Sequence, residues 1–411
     1  MNYFIKNVHV NKLFHLNDFN IPIADAKYPH LIITGKNGSG KTILLNAISD
    51  FLNLIKNDTT AEFLDYYENL NRCNERLKRE TDEHGKMQTQ QNIDYYKKKI
   101  DNLYGRIDLQ SDLIISVIEK YNKGEFVIAF YQAARKSQMS EPKNPTKPVY
   151  NKKGNVKETA TSQFLNFLSD LKIQEALARN EQQTKDADDI KSWFDEFEDL
   201  LKQIYQDTNL KLDFNYKDYS FKICTEGKRF KFTEVSDGFA AVIDIVADLI
   251  LKMQDDKSLT RAYQKEGIVL IDEIETHLHL GLQKVIMPLL TKVFPNIQFI
   301  ITTHSPFVLS SMPDAVAYDL EHREVLDDLT EYSYEALAEG YFGVKTQSSY
   351  AEMQLDTFKN LLAKEVLSDA EKVEIKQLKA DFEKIQETVS PLIVGEFRQI
   401  VIQYSEKLNS L

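Results

Sequence analysis

Hydrophobic and polar residues alternate along the first part of the chain in the manner of short strands. Residues 2 to 34 end in the continuous apolar run LIIT, which is typical of a buried strand. The stretch KTILLNAISDFLNLI then repeats its apolar residues at the spacing of one helix face. The pattern predicts strands, a glycine-containing loop and a helix in direct succession.

A long polar stretch interrupts this alternation. Residues 59 to 123 contain no proline and only two glycines, Gly85 and Gly105. Such a stretch favours two antiparallel helices joined near EHGK, either as a coiled coil or, since no strict heptad persists, as a surface insertion without coiled-coil register. We therefore expect a helical hairpin insertion over residues 57 to 125, followed by a strand, FVIAFYQ, that begins at Phe126.

Two further patterns occupy residues 135 to 207. Residues 135 to 157 hold three prolines among many lysines, which predicts a basic loop. That loop is either a solvated linker, which its charge favours, or a surface that binds a partner. Residues 161 to 205, including Trp193, place apolar and acidic residues at helical spacing. We expect a basic loop and a helical lobe here.

The rest of the chain predicts a sheet covered by helices. LKLDFNYKDYSFKI and KRFKFTEV have the alternation of a hairpin, and the later strands GIVLIDE, IQFIITTH and AVAYDL are separated by helical stretches. This order is typical of an α/β protein with a largely parallel sheet. Residues 1 to 56, 126 to 134 and 208 to 330 are predicted to form the α/β unit, and residues 331 to 411 a helical C-terminal region.

Composition narrows the class of protein. With 42% hydrophobic residues the chain is expected to fold, and a formal charge of −12 argues against coating nucleic acid with one broad basic face. Cys73 and Cys224 lack the spacing of a disulfide framework or zinc site. The apolar run AAVIDIVADLIL is interrupted by Asp244 and Asp248, and no signal segment is evident. A cytoplasmic protein without a membrane partner is expected.

The loop after LIIT matches the pattern G-x-x-x-x-G-K-S/T in full. Glycines allow a backbone whose successive N–H groups face an anion, and the following helix directs its positive dipole end to the same place. The lysine supplies charge to the β and γ phosphates, and the threonine hydroxyl is a ligand for Mg²⁺. The sequence therefore predicts ATP and Mg²⁺ at eight residues: Gly35, Lys36, Asn37, Gly38, Ser39, Gly40, Lys41 and Thr42.

Two later strands end in residues suited to phosphate chemistry. In GIVLIDEIETHLH, Asp272 is expected to hold Mg²⁺ through water, and Glu273 to orient and deprotonate the attacking water. The alternative, an acidic strand end that caps the next helix, stays open for Glu275 but fits the Asp272–Glu273 pair poorly. His304 closes the strand in FIITTHSP and is a candidate hydrogen-bond donor to the γ-phosphate.

Ser236 and Gly238 begin a helix in EVSDGFAAVIDIVADLIL. A serine there is either an N-cap or part of an anion site. If it does not reach the phosphate loop of its own chain, it would serve the nucleotide of a second copy, so that two chains would sandwich two ATP molecules. His277 and His279 are weak candidates for a metal pair, since no further ligands accompany them.

These motifs, GKNGSGKT, VSDGF, VLIDEIETHLH and ITTHSP, occur in an order that resembles the ABC type of P-loop ATPase head, in the branch of RecF-like, structural-maintenance-of-chromosomes and OLD-family proteins. The resemblance implies a mixed sheet, a coiled-coil-like insertion and a helical C-terminal region. It also implies that Ser236 and Gly238 form the signature motif, which contacts the γ-phosphate across a dimer interface.

The same resemblance places Gln132 where the family has its magnesium-contacting glutamine. Arg135 either lines the site or forms a surface salt bridge. Ile274 and Leu280 occupy positions where the family commonly has proline, which leaves the local turn open.

The motifs also resemble those of ATPase subunits of bacterial anti-phage systems, namely Septu, PARIS and retron-associated ATPases. It implies an ATP-hydrolysing homo-oligomer that switches a separate effector protein such as a nuclease. The residues after AVAYDL read as helices, so no nuclease domain of its own is expected. The alternatives are a RecF-like or SMC-like clamp that binds nucleic acid in DNA repair or chromosome maintenance, and a nucleotide-binding scaffold without turnover.

Overall fold

The structure is a computed structural model, and its contacts divide the chain into two units, Met1–Tyr332 and Ser333–Leu411. The residues that it describes are 5–23, 30–54, 60–104, 106–110, 114–134, 139–142, 156–254, 263–326, 329, 331–340, 342–343, 349–386 and 390–410.

The strands of the described residues are short, as the sequence pattern predicts. They are β1 (Asn7–Leu13), β2 (Leu16–Pro22), β3 (His30–Thr34), β4 (Ile107–Gln110), β5 (Phe126–Tyr131), β6 (Lys211–Asn215), β7 (Ser220–Thr225), β8 (Lys228–Lys231), β9 (Glu266–Ile271), β10 (Ile297–Thr302), β11 (Ala315–Asp319) and β12 (Glu324–Leu326).

The helices account for most of the remaining described residues. They are α1 (Lys41–Leu54), α2 (Thr60–Arg79), α3 (Glu83–Tyr104), α4 (Ile114–Asn122), α5 (Phe164–Asn180), α6 (Thr184–Tyr205), α7 (Asp237–Met253), α8 (Leu280–Val293), α9 (Pro306–Leu309), α10 (Tyr334–Gly340), α11 (Ser349–Ala363), α12 (Asp369–Phe382), α13 (Pro391–Gln403) and α14 (Ser405–Ser410).

A six-stranded sheet in the order β12-β11-β3-β10-β9-β5 forms the centre of the first unit. Its strands pair in parallel except β12, which pairs antiparallel to β11 at one edge. Every residue of β3, β5 and β10 is buried, because both faces of a parallel sheet are covered. The carboxyl ends of β3, β10, β9 and β5 therefore lie side by side at one edge of the sheet.

Two smaller antiparallel sheets, β2-β1-β4 and β6-β7-β8, complete the strands of this unit.

These elements confirm the fold class that the sequence predicted: an α/β protein with a mixed sheet, a helical pair and a helical C-terminal region. Helices α2 and α3 meet at residues 80–82, just before the EHGK sequence.

Strand β4 was not found by the sequence analysis, which expected only helices between residues 57 and 125. It pairs antiparallel with β1, from Asn7 opposite Gln110 to Val10 opposite Ile107. Its four residues, IDLQ, are too few to show a period, so a partner far along the chain decides their conformation.

Aromatic rings form the core of the pair α5 and α6. Trp193 stacks on Phe197 with a centroid distance of 5.5 Å, and it meets Phe167 and Phe194 edge-on. This packing agrees with the helical lobe that the sequence predicted around Trp193.

The second unit has a helical core of its own. The rings of Phe358, Phe382 and Phe397 lie within 6.4 Å of one another, surrounded by aliphatic residues of α11, α12 and α13. Ser368 and Glu371 form a capping box that begins α12.

None of the helices in the described part of the chain combines the length and the apolar content of a membrane span.

Candidate nucleotide-binding site

The phosphate loop joins β3 to α1 at the edge of the sheet. Gly35, Gly38 and Gly40 have φ values of 133°, 85° and 102°, a region that other residues rarely adopt. A side chain at Gly40 would also come 2.9 Å from Leu16 Cδ1. The loop conformation therefore depends on glycine at these positions, as an anion-binding loop of this pattern requires.

Lys41 begins α1 with its ammonium group turned into this loop. Its Nζ donates to the carbonyls of Gly35, at 2.8 Å, and Lys36, at 3.1 Å, and the residue is 6% exposed. Burial lowers the pKa of Lys41, and nearby carboxylates oppose that change: Glu273, Glu275, Asp272 and Asp319. The ammonium group is thus influenced by the acids that follow β9 and by the acid that ends β11.

Ser39 offers an unused polar group inside the same loop. Among the described residues its Oγ is buried and makes no hydrogen bond. Its carbonyl lies 3.1 Å from His15 Nε2, in the turn between β1 and β2. A buried hydroxyl and a buried ammonium in one loop suit a phosphate group, since each would gain a hydrogen-bond acceptor. Asn37 and Gly38 are exposed in the same loop.

Thr42 and Asp272 meet where the phosphate loop touches the end of β9. Thr42 Oγ1 donates to Asp272 Oδ1 at 3.2 Å, and Thr302 Oγ1 donates to the same oxygen at 2.6 Å. Gln132 directly follows β5, the strand beside β9, and is exposed. Hydroxyl, carboxylate and amide oxygens are the ligands that Mg²⁺ prefers, so these three side chains fit the ion.

Glu273 is held at the strand end by its backbone. Its φ is 43°, and its N–H donates to Thr302 Oγ1 at 2.8 Å. Thr276 Oγ1 lies 3.4 Å from Glu273 Oε2. A non-glycine residue in this region of φ carries strain and occurs often at functional sites. The carboxylate is partly exposed, as a group that orients water must be.

Glu275 does not cap α8, the alternative that the sequence left open, because His279 is the N-cap. Its Oε1 accepts from the His304 N–H at 2.5 Å, and its Oε2 accepts from Thr303 Oγ1 at 2.8 Å. Burial raises the pKa of Glu275. The side chain therefore fixes the segment after β10, a positioning role that the sequence offered no signal to find.

The hydrogen bonds of Glu275 hold the segment of His304 next to the phosphate loop. Burial lowers its pKa, and the charge of Lys41 lowers it further. The imidazole is therefore neutral near pH 7 and carries a single N–H donor.

Helix α7 begins at the candidate signature motif. Ser236 occupies the N-cap position with φ −64° and ψ 152°, yet its side chain makes no capping hydrogen bond. A Cβ at Gly238 would lie 2.6 Å from the His277 carbonyl oxygen, so only glycine allows this close approach. The exposed Ser236 hydroxyl is thus available to a ligand, and the helix start packs on the turn after β9.

His277 and His279 have different surroundings. His279 Nδ1 accepts from the Leu282 N–H at 3.3 Å and caps α8, while its ring meets Phe239 edge-on at 5.6 Å. His277 is exposed with a φ of 69°. No group of three or more His, Cys, Asp or Glu residues suited to a metal occurs within the described ranges.

The structure defines the turn at Ile274 and Leu280, the two positions where the family commonly has proline. Ile274 is buried, and its N–H donates to the Thr302 carbonyl at 3.2 Å. Leu280 is the first residue of α8 and is 58% exposed. A proline at position 274 would lose that hydrogen bond, so this turn is held differently from the common family pattern.

A cluster at the end of β11, which no sequence pattern predicted, supports the start of the phosphate loop. Buried Asp319 accepts from the Glu321 N–H at 2.8 Å and lies 2.8 Å from His322 Nδ1. Lys36 pairs with Glu321 at 3.0 Å. Because positions 36 and 321 are far apart in the chain, no local pattern could have shown this contact.

Several sequence candidates fall outside the described residues. They are Arg135 and the lysines of the basic loop, Lys143, Lys147, Lys152 and Lys153.

The family described as "AAA domain, putative AbiEii toxin, Type IV TA system" matches residues 31–310. That span includes the phosphate loop, the ends of β9 and β10, and the start of α7. The chain belongs to this family of AAA-domain proteins.

Its similarity to particular proteins is partial. The chain is 32% identical over 183 residues to the Septu protein PtuA of Bacillus mycoides, a match that covers 42% of this chain and 25% of that protein. It is 30% identical over 170 residues to the retron Vc95 probable ATPase of Vibrio cholerae, covering 40% and 32%. The matched segments thus span about a quarter to a third of these relatives.

Shorter and more distant similarities add little. The retron Ec83 probable ATPase of Escherichia coli is 42% identical over 76 residues, which cover 18% of this chain and 14% of that protein. Among solved structures, the Smc head bound to the C-winged helix domain of ScpA aligns over 79% of this chain and 96% of its own, at 12% identity and a TM-score of 0.36. At that level the structural likeness has no bearing on function.

Proposed function

We propose that this protein binds Mg²⁺-ATP at residues 35–42 and hydrolyses it to ADP and phosphate. The observation that carries the proposal is the 3.2 Å contact between Thr42 of the phosphate loop and Asp272 at the end of β9. It brings together the two side chains expected to hold the ion, with Glu273 as the next residue in the chain. Membership of the AAA-domain family supports nucleotide binding.

Each residue has a separate part in the reaction. Lys41, Ser39 and the loop N–H groups bind the phosphates, while Thr42, Asp272 and Gln132 hold the ion. Mg²⁺, when bound, neutralises charge on the β and γ phosphates. Glu273 orients the attacking water and accepts its proton, and the neutral His304 donates a hydrogen bond to the γ-phosphate.

We further propose that two chains share each nucleotide. The Ser236 hydroxyl is exposed and makes no cap to its own helix, which suits a contact to the γ-phosphate bound by a second copy. ATP would then stabilise the closed dimer because it contacts both chains, and hydrolysis would release it.

The relatives suggest what the switch controls. Since they are a Septu protein and retron ATPases, we place this protein in bacterial antiviral defence, where residues 1–56, 126–134 and 208–330 act as the ATPase head. The hairpin α2–α3 or the C-terminal helices would pass the nucleotide state to a separate effector such as a nuclease.

Glu273→Gln tests the reaction and the dimer together. The variant keeps the side-chain size but loses the base, so the hydrolysis rate should fall at least about a hundredfold while ATP binding persists. Light scattering after gel filtration should then show an ATP-dependent dimer. Unchanged hydrolysis would remove Glu273 from the role.

Mixing two inactive variants tests whether the site is shared. Lys41→Ala disables the phosphate loop, and Ser236→Arg blocks the helix start. If sites form between chains, an equal mixture should recover about a quarter of the wild-type rate, because half of the dimers are mixed and each of those has one complete site. No recovery from two folded variants would refute sharing.

A further inference from the structure

One of the two acids that interrupt the apolar pattern of α7 has no surface role. Asp248 is 0% exposed and lies about three helical turns from the helix end that carries Ser236. Burying a carboxylate is costly unless charge and hydrogen bonds compensate it. A carboxylate buried at this position therefore requires hydrogen-bond and charge partners.

Asp248 has such partners on three segments of the chain. Its Oδ2 accepts from the Tyr131 hydroxyl at 2.7 Å, and its Oδ1 accepts from the Ala160 N–H at 2.6 Å. Lys252, one turn along α7, pairs with the carboxylate. The ammonium group of Lys252 also donates to the Glu158 carbonyl at 2.8 Å. The carboxylate joins α7 to the end of β5 and to the start of the helical lobe.

Tyr131 extends this connection to the candidate magnesium site. It is the last residue of β5, so its side chain reaches Asp248 while its backbone continues directly into Gln132. Its carbonyl accepts from the Asp272 N–H at 2.8 Å. A single residue therefore contacts Asp248 on one side and the backbone of the proposed Mg²⁺ ligand Asp272 on the other.

We propose that Asp248 is a positioning residue for the magnesium site, which acts through Tyr131 to set the places of Gln132 and Asp272. The inference rests on the proposed function, since it assigns the support of the same metal site. Helix α7 then has two roles. Its start presents Ser236, and its residue Asp248 positions the metal ligands of the same chain.

Tyr131→Phe tests this assignment with the smallest change. It removes the hydroxyl, keeps the ring in place, and leaves Asp248 paired with Lys252 and the Ala160 N–H. The measurement is the affinity for ATP in excess Mg²⁺ and in EDTA, by calorimetry with the full chain. Affinity in EDTA should stay unchanged, because the hydroxyl that is removed donates to Asp248. The enhancement by Mg²⁺ should fall about tenfold, as for residues that support metal ligands.

Tyr318→Phe is the matched control. Tyr318 is a tyrosine of the same sheet, 2% exposed, on β11 rather than at the magnesium site. Its replacement should leave the Mg²⁺ enhancement unchanged. Asp248→Asn is a second variant, and if it folds its enhancement should fall at least as far as that of Tyr131→Phe.

The outcomes separate the inference from the function beneath it. An unchanged Mg²⁺ enhancement in Tyr131→Phe, with or without a lower melting temperature, would overturn the inference and leave ATP binding intact. Equal weakening in EDTA and in Mg²⁺ would also overturn it, since the effect would not be on the metal. A wild-type protein that binds no ATP would refute both.

Discussion

Gly238→Ala is the substitution whose effect the structure defines most closely. The added Cβ would lie 2.6 Å from the His277 carbonyl oxygen, whereas ordinary contacts begin at 3.4 Å, so α7 or the turn after β9 must move by about 0.8 Å. The obstacle is a backbone atom and not the end of a flexible side chain. Overpacking of this kind costs about 1–3 kcal/mol.

Alanine has a higher helix propensity than glycine, which offsets at most about 1 kcal/mol of that cost. We therefore expect Gly238→Ala to lower the free energy of unfolding of the first unit by about 1–2 kcal/mol. The displaced helix start should also misplace Ser236, so ATP-dependent dimerisation should weaken more than ATP binding.

Urea unfolding followed by fluorescence measures this effect, because the only tryptophan, Trp193, lies in the first unit. Gly395→Ala is the matched control: a Cβ there meets nothing within 4 Å inside α13. Circular dichroism should show the control to be as stable as the wild type or up to about 1 kcal/mol more stable. A Gly238→Ala protein with undiminished stability and undiminished dimerisation would show that the close approach does not constrain this helix.

Three further substitutions have outcomes set by particular contacts. His30 is buried, and its Nδ1 accepts from the Phe299 N–H. Burial lowers the pKa of His30 to about 4 from an unfolded value of 6.5. The contribution of neutral His30 to the free energy of unfolding is therefore full above pH 6.5 and is lost as the pH falls toward 4. The loss amounts to about 3 kcal/mol, and urea titrations across this range should give a smaller pH dependence for His30→Gln, with equal slopes contradicting the reasoning. Glu275→Ala removes both acceptors that hold the segment of His304, so kcat for ATP hydrolysis should fall about tenfold with KM nearly constant. Glu275→Gln should recover much of the lost kcat. A change in KM alone would argue that Glu275 does not position His304. Tyr205→Phe removes a buried hydroxyl that has no hydrogen-bond partner among the described residues, so thermal melting should be unchanged or higher, and a loss above about 1 kcal/mol would reveal a partner for it.

The parts of the site that could be predicted are those with local patterns. The loop from Gly35 to Thr42 contains the full phosphate-loop pattern within eight positions, and Asp272 and His304 each follow a recognisable apolar strand. Because parallel strands end at the same edge, their meeting could be expected before any distance was known. The hairpins β6–β7 and β7–β8 followed from alternation and turn residues alone.

The parts that could not be predicted depend on contacts between distant residues. For Glu275 a helix cap stayed open, since nothing in its own segment reveals Thr303 or His304 as partners. Asp248 was only an interruption of an apolar run, because its partners Tyr131 and Ala160 lie on other segments. Strand β4 shows the same limit, because its pairing with β1 outweighs its weak intrinsic preference.

The pairing of β3 has a consequence for synthesis of the protein. The hydrogen bond between Phe299 and His30 joins residues 269 positions apart, and both neighbours of β3 in the sheet come after residue 296. The helical pairs α2–α3 and α5–α6 can form as soon as their own residues leave the ribosome, since their contacts are local. A nascent chain can therefore carry its folded helical pairs well before the strand that leads into the phosphate loop gains its neighbours, which are complete only once Asp319 has been added.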